Sequence, residues 1–215
     1  MIEWVEEKYQ SLLQIVPSVS RETAETLMAF EEAVKKWQSH INLIANATLP
    51  DLWKRHILDS AQVAGFKPQA KNWCDIGSGG GFPGIVIAIL LKDQSGFHID
   101  LVESNSKKAA FLRSVSAEFN LPATVHTCRI ETSYIHINKP EIITSRALAS
   151  LEKLFELTQP WFEQGATALF QKGRDYKKEI AEAEKNWTFD FEVHQSKIDK
   201  QSVILEISKI DSRKG

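Results

Sequence analysis

Asp75-Ile76-Gly77-Ser78-Gly79-Gly80-Gly81-Phe82-Pro83-Gly84 lies between the run Asn72-Trp73-Cys74 and the apolar run Ile85 to Leu91. An acidic residue at a strand end, closely spaced glycines and then a helix start describe a turn that cradles a nucleotide. Such a turn needs glycine for two reasons: positive φ penalises a Cβ, and the backbone must lie against its ligand. A glycine-rich turn that binds nothing is the bland alternative, but it weakens a fold without a compensating contact.

The spacing Asp-x-Gly-x-Gly-x-Gly resembles the first motif of S-adenosylmethionine (SAM) dependent methyltransferases of the Rossmann-like class. The same stretch satisfies a second pattern. Gly79, Gly81 and Gly84 fit the G-x-G-x-x-G dinucleotide fingerprint, and Glu103 follows at about 20 residues. Three features favour SAM over NAD. Asp75 stands just before the first glycine, placed to anchor the methionine end of the cofactor through the loop. No second mononucleotide half follows to hold a nicotinamide. The chain also closes with two strand-like runs that suit a methyltransferase sheet.

The 215 residues fit one α/β domain carrying an N-terminal extension. No apolar run approaches the ~20 residues of a membrane span. Met1-Ile2-Glu3-Trp4 lacks the basic region of a signal peptide. The two cysteines, Cys74 and Cys128, both fall in expected strands and read as buried apolar residues rather than a disulfide. No Cys/His group has metal-ligand spacing, so no metal is expected. A reducing cytoplasm is the expected setting, and a monomer the expected state. The net charge of −2 does not advertise nucleic acid binding, so any RNA-facing basic side must be assembled in three dimensions.

Residues 1–65 read as the helical extension and residues 66–215 as the catalytic domain. Ile2, Val5, Tyr9, Leu12, Leu13 and Val16 recur at helical spacing until Pro17. Ser20 caps a second helix whose apolar face runs from Ala24 through Trp37. Thr48-Leu49-Pro50-Asp51 reads as a capping box opening a short helix through Ser60. Strands are expected at 72–76, 97–102, 123–128, 141–145 and 166–171, with helices at 83–91, 106–119, 150–161 and 175–185. Strands alternating with helices argue for a parallel, doubly wound sheet. Residues 187–194 and 202–210 follow with a short connection, which forces an antiparallel hairpin. The fold class is therefore α/β, a seven-stranded and mostly parallel sheet of Rossmann-like type.

Ligands of such sheets bind beyond the carboxyl ends of the strands. Asp75, Gly77, Gly79 and Gly81 follow strand one. Glu103 ends strand two, where a carboxylate can accept the ribose hydroxyls, although a charged residue facing water is the plain alternative. Arg129-Ile130-Glu131 follow strand three on the adenine side. Ser145-Arg146-Ala147 and Lys172-Gly173-Arg174 end strands four and five, and two cationic ends suit a polyanionic substrate.

Asn42-Leu43, Arg55-His56-Ile57-Leu58-Asp59-Ser60, the glycine loop, Leu101-Val102-Glu103-Ser104, Lys108 to Arg113, Ser145-Arg146-Ala147 and Lys172-Gly173 together resemble the RsmG family, also called glucose-inhibited division protein B. The resemblance runs from about Asn42 to Gly173. It implies a bacterial enzyme that methylates N7 of guanine 527 in 16S ribosomal RNA, acting on the RNA or on a small ribosomal subunit. By position it also implies SAM contacts at Gly77, Phe82, Ile130, Glu131 and Arg146. One departure is Ile130-Glu131, where the family pattern has Ala-Glu. Substrate contacts are expected at Arg55, His56, Arg146, Lys172 and Arg174. For Arg55 and Asp59 the plain reading is an i, i+4 helix ion pair.

N7 has a lone pair and no proton, so no catalytic base is expected. No Asn-Pro-Pro-Tyr-like run after strand four suggests an amino-group methylase. A small-molecule methyltransferase, a NAD-binding oxidoreductase and a silent SAM-fold module are the alternatives.

Overall fold

The computed structural model describes residues 2–137 and 139–213. Side chains of Ile2 to Trp4 lie outside the described set, so Ile2 as an apolar helix position is not placed. Helices α1 (Ile2–Leu13) and α2 (Arg21–Gln38) open the chain. Ser20 caps α2 by accepting from Thr23 N at 3.1 Å. Then comes a 3₁₀ turn (Asn46–Asp51), a π-helical turn (Trp53–Leu58) and α3 (Asp59–Ala64).

The core alternates β1 (Asn72–Ile76), α4 (Gly84–Leu91), β2 (His98–Val102), α5 (Ser106–Glu118), β3 (Ala123–His126), β4 (Ile142–Arg146), α6 (Leu151–Phe162), β5 (Thr167–Lys172) and α7 (Tyr176–Ala183). Strands β6 (Trp187–Gln195) and β7 (Val203–Ser212) complete a seven-stranded sheet. Its order is β3-β2-β1-β4-β5-β7-β6. The pairs from β3 across to β5 are parallel, and β7 runs antiparallel to both β5 and β6. The expected architecture is therefore present, with one refinement: β7 inserts between β5 and β6. Val203, Ile204, Leu205 and Ile207 are all buried, as an interior strand requires. Strand β6 takes the edge, where Phe191 and Val193 are exposed.

Strand order reverses between β1 and β4, and this switch point is where a crevice opens at the carboxyl ends. Successive side chains of β1 serve opposite faces. Trp73 joins a cluster beneath α4 and α5, whereas Cys74 and Ile76 join a second cluster beneath α6. Asp75 therefore points to the α4 side.

Helix α4, Gly-Ile-Val-Ile-Ala-Ile-Leu-Leu, has no polar face. A helix that is apolar all round must be covered all round. The sheet covers one side, and α2 and α3 pack on the other. Leu12, Leu27, Phe30, Ile57 and Ala61 of the preface share one apolar cluster with Ile85 to Ile89 of α4.

Three local expectations are corrected. Residues 48–51 form no capping box: Thr48 Oγ1 donates to Ala45 O at 2.8 Å inside the 3₁₀ turn, and α3 runs on past Ser60 to Ala64. Arg55 and Asp59 do not pair, because the π-helical turn breaks the i, i+4 stacking and Asp59 turns to other partners. Cys128 lies beyond the end of β3 and is half-buried, whereas Cys74 is buried within β1; both are free thiols.

Gly84 sets how closely α4 approaches the sheet. A Cβ there would stand 2.5 Å from Leu101 Cδ2 and 2.6 Å from Asp75 Oδ2. Gly84→Ala should overpack this contact and destabilise the fold by about 1–3 kcal/mol. The check is the denaturant midpoint at unchanged slope; an unshifted midpoint would mean that α4 relaxes freely.

Candidate functional site

The loop after β1 is held from below and from the side. Asp75 Oδ1 accepts from Thr144 Oγ1 at 2.8 Å, and Ser78 Oγ donates to Asp75 O at 2.8 Å. Asp75 Oδ2 is buried without a well-formed hydrogen bond, and burial, opposed by Thr144, Ser78 and the Gly84 amide, pushes the carboxyl up to about 6. The amides of Gly77 and Ser78 donate to Val102 O at 2.9 and 3.0 Å, tying the loop to the end of β2. Gly77, Gly79 and Gly81 have φ of 67°, 53° and 86°, a conformation that favours glycine.

A cavity of about 410 Å³ opens above this loop. Its wall includes Gly77, Gly79, Glu103, Ile130, Glu131 and Arg146, so the ends of β1, β2, β3 and β4 meet around one space. Glu103 already positions the loop, accepting from Gly79 N at 2.9 Å and Asn105 N at 2.7 Å. A carboxylate has about four lone-pair sites, so acceptor capacity remains for a ligand. A Cβ on Gly79 would meet only Gly77 O, at 3.6 Å, so that position is open to the cavity.

Three of the loop residues singled out in the sequence do not line the cavity. Asp75 lies under the loop. Gly81 backs onto Ile85 and Phe30, where a Cβ would come within 2.7 Å of Ile85 Cγ1. Phe82 is buried, its ring 5.3 Å from that of Phe30, 5.1 Å from that of His56 and 5.1 Å from the Arg146 guanidinium. Leu148 and Leu157, by contrast, line the cavity without a sequence signal. Leu148 is carried there by Ala147, whose φ of 52° is a strained conformation for a residue with a Cβ.

Arg146 joins this cavity to a second one. Its Nη2 lies 2.7 Å from His56 Nδ1, and its Nη1 donates to Arg55 O at 3.2 Å and lies 3.7 Å from Asp59 Oδ2. A guanidinium only donates, so Nδ1 of His56 accepts and the ring proton sits on Nε2, facing Thr48 Oγ1 at 2.8 Å. Burial, with Arg146 and Arg55 close by, lowers the His56 pKa to about 3. His56 is thus a neutral, fully engaged imidazole. Burial raises the Asp59 carboxyl above its ordinary value, against the pull of Arg146 and Gln62. Its Oδ1 accepts from Gln62 Nε2 at 2.8 Å and its Oδ2 from Gln171 Nε2 at 2.7 Å.

The second cavity, about 250 Å³, lies beyond β4 and β5 and is bounded by Asp59, Gln62, Arg146, Gln171 and Lys172. Lys172 lines it, but its ammonium is committed to Ala149 O and Glu179 Oε2, each at 2.7 Å. Arg55 and Arg174 are exposed, and both act on Asp199 in the β6–β7 turn. The cationic residues are therefore divided: Arg146, half-buried, and Lys172, buried, are engaged in pairs, and Arg55 and Arg174 face outward.

A family model described as GidB, rRNA small subunit methyltransferase G, matches residues 23–205. A protein of Bartonella bacilliformis named Ribosomal RNA small subunit methyltransferase G is 60% identical over 215 residues, covering 100% of both chains. One of the same name from Brucella abortus is 56% identical over 203 residues, covering 94% of this chain and 95% of its own. Among solved structures, an O-methyltransferase from Bacillus cereus in complex with SAH aligns with TM-score 0.58 at 17% identity, covering 84% of this chain and 91% of that one. Magnesium protoporphyrin IX methyltransferase from Synechocystis with bound SAM gives 0.54 at 13% identity over 84% and 97%. These structural likenesses concern the fold.

The buried histidine makes a pH prediction. Unfolded, His56 takes a proton near pH 6.5; folded, only near about 3. Its contribution favours the folded state above pH 6.5 and is lost as pH falls towards 3, by up to about 1.4 kcal/mol per unit. Asp75 acts in the opposite sense, binding a proton near about 6 when folded. Denaturant titrations of the wild type and His56→Asn from pH 7 downward should therefore converge, the variant losing less stability in acid. Parallel curves would contradict the neutral imidazole.

Proposed function

This chain belongs to the GidB family, rRNA small subunit methyltransferase G, and from that membership we propose that it methylates N7 of guanine 527 in 16S ribosomal RNA with SAM as the methyl donor. The observation that carries the reading is the pair of cavities at the switch point, separated by Arg146. The larger one suits SAM: its floor is glycine backbone, its rim carries Glu103 and Glu131, and Gly79 leaves room for close approach. Gly77, Gly79, Glu103, Ile130, Glu131 and Arg146 would hold it, while Asp75, Gly81 and Phe82 keep the loop and Arg146 in place.

When bound, SAM supplies a methyl group on a sulfonium centre. Guanine N7 presents a lone pair and carries no proton, so the chain is asked for alignment and for exclusion of water. The side chains suit that task. His56 is engaged at both nitrogens, and Asp59 and Arg146 are held by several partners each, which makes a rigid wall rather than a proton relay. Exposed Arg55 and Arg174 are the groups left to meet phosphates, on the same side as the smaller cavity. Residues 1–65 act in this reading as the wall that delivers Arg55, His56 and Asp59. A monomer acting in the cytoplasm on 16S RNA or on the small subunit that contains it is the setting we infer. No helix among the described residues is long and apolar enough to cross a membrane.

Calorimetry should show SAM and its demethylated product binding without competition from NAD, and Gly79→Val should abolish binding with the circular dichroism unchanged. Methylation should map to one guanine N7 of 16S RNA and weaken steeply with salt, and Arg174→Glu should raise KM for RNA more than it disturbs SAM affinity. Glu131→Gln and His56→Asn should leave the pH profile without a lost basic limb, since a true general base contributes ~10²–10⁴-fold. Efficient, salt-insensitive methylation of a small molecule without RNA would overturn the assignment.

A further inference from the structure

We propose that the 250 Å³ cavity beyond β4 and β5 receives the target base, and that Asp59 selects guanine by accepting from its N1–H and 2-amino group. The proposal rests on the RNA reading above and gives it a base-reading residue.

Position comes first. The cavity shares Arg146, Ala147 and Ala149 with the cavity assigned to SAM above, so a planar group inside it stands across one wall from the methyl donor. At about 250 Å³ it falls below the ~300–1,000 Å³ of drug-sized sites, the scale of a single heterocycle turned out of its stack.

The chemistry of the wall then discriminates among bases. The Asp59 side chain is 17% exposed and borders the cavity. Each of its oxygens accepts one side-chain donor, from Gln62 and from Gln171; Arg146 Nη1 faces Oδ2 at 3.7 Å, beyond hydrogen-bond length, so each oxygen keeps a further lone-pair site. Gln171 lines the same cavity, and its Oε1 is buried without a partner. Its amide cannot be reversed without turning that oxygen onto the Asp59 carboxylate. The acceptor that this side of the cavity offers is therefore the Asp59 carboxylate, held in orientation by the Gln171 amide, while the Lys172 ammonium is committed elsewhere.

Guanine places two N–H donors side by side, N1–H and the 2-amino group, and these match the two oxygens of a carboxylate. Adenine and cytosine set a ring-nitrogen lone pair beside their amino group, and uracil flanks its one N–H with carbonyls. Gripping the Watson–Crick edge also leaves N7, on the opposite edge, free for reaction. The base becomes cationic when N7 takes a methyl without losing a proton, and a carboxylate hydrogen-bonded to it stabilises that charge.

The test is a cycle of enzyme and substrate changes: wild type and Asp59→Asn, each on 16S RNA carrying guanosine or inosine at the target, with SAM affinity measured in parallel. Inosine lacks only the 2-amino group. Wild-type kcat/KM should fall roughly 10–100-fold on inosine. Asp59→Asn should lose at least as much on guanosine and lose little more on inosine, and any loss of SAM affinity passed on through Arg146 should be the same with either RNA. Losses that multiply independently would overturn the assignment, as would a wild type that methylates both RNAs alike. Should Asp59→Asn not fold, Gln171→Met removes the donor that orients Asp59 and should shrink the guanosine preference; an intact preference would count against the proposal. A wild type that binds SAM but methylates neither RNA would overturn the RNA reading itself, and this proposal with it.

Discussion

The fold depends on the burial of α4. Eight residues from Gly84 to Leu91 carry no polar side chain, so the helix is stable only when enclosed on every side. The sheet encloses half of it, and the rest must come from elsewhere in the chain. Helices α2 and α3 supply that cover, and the π-helical turn lying between them in sequence is brought to the mouth of the crevice as a result. A packing requirement at the centre of the molecule thus delivers Arg55, His56 and Asp59 to the ends of β4 and β5.

Arg146 shows how such a wall is made rigid. A half-buried guanidinium needs acceptors, and it finds an imidazole nitrogen and a backbone carbonyl, with a carboxylate 3.7 Å away, all from residues 55–59. Burial, reinforced by the guanidinium charge, keeps His56 neutral, and His56 in turn is tied to Thr48. The glutamines on either side of Asp59 extend the network into α3 and β5. Removing one member would leave another buried and unpaired, so the group acts as a unit.

Much of this was legible in the chain. Alternating apolar runs located the strands to within a residue or two, because their ends coincide with polar or glycine-rich turns. The strand-end rule singled out Glu103, Ile130, Glu131 and Arg146, since a parallel sheet collects its carboxyl ends on one edge. Long-range partnerships were illegible. Lys172 reads as a free cation until α7 brings Glu179 to it. Asp59 reads as a partner of Arg55 until the π-helical turn rotates it towards β5. The positive φ at Ala147 has no sequence mark, because alanine is not a residue that favours it.

The insertion of β7 between β5 and β6 has a consequence for the order of assembly. Strand β5 gains its second neighbour only from residues 203–212, after α7 and β6 have been made. Until then its outer edge presents unpaired amides and carbonyls beside Ala168, Leu169 and Phe170, the kind of edge that recruits foreign strands. The strand that covers β5 is the last of the sheet to be made, so a released chain cut short near residue 200 carries a nearly finished crevice attached to an open and adhesive edge.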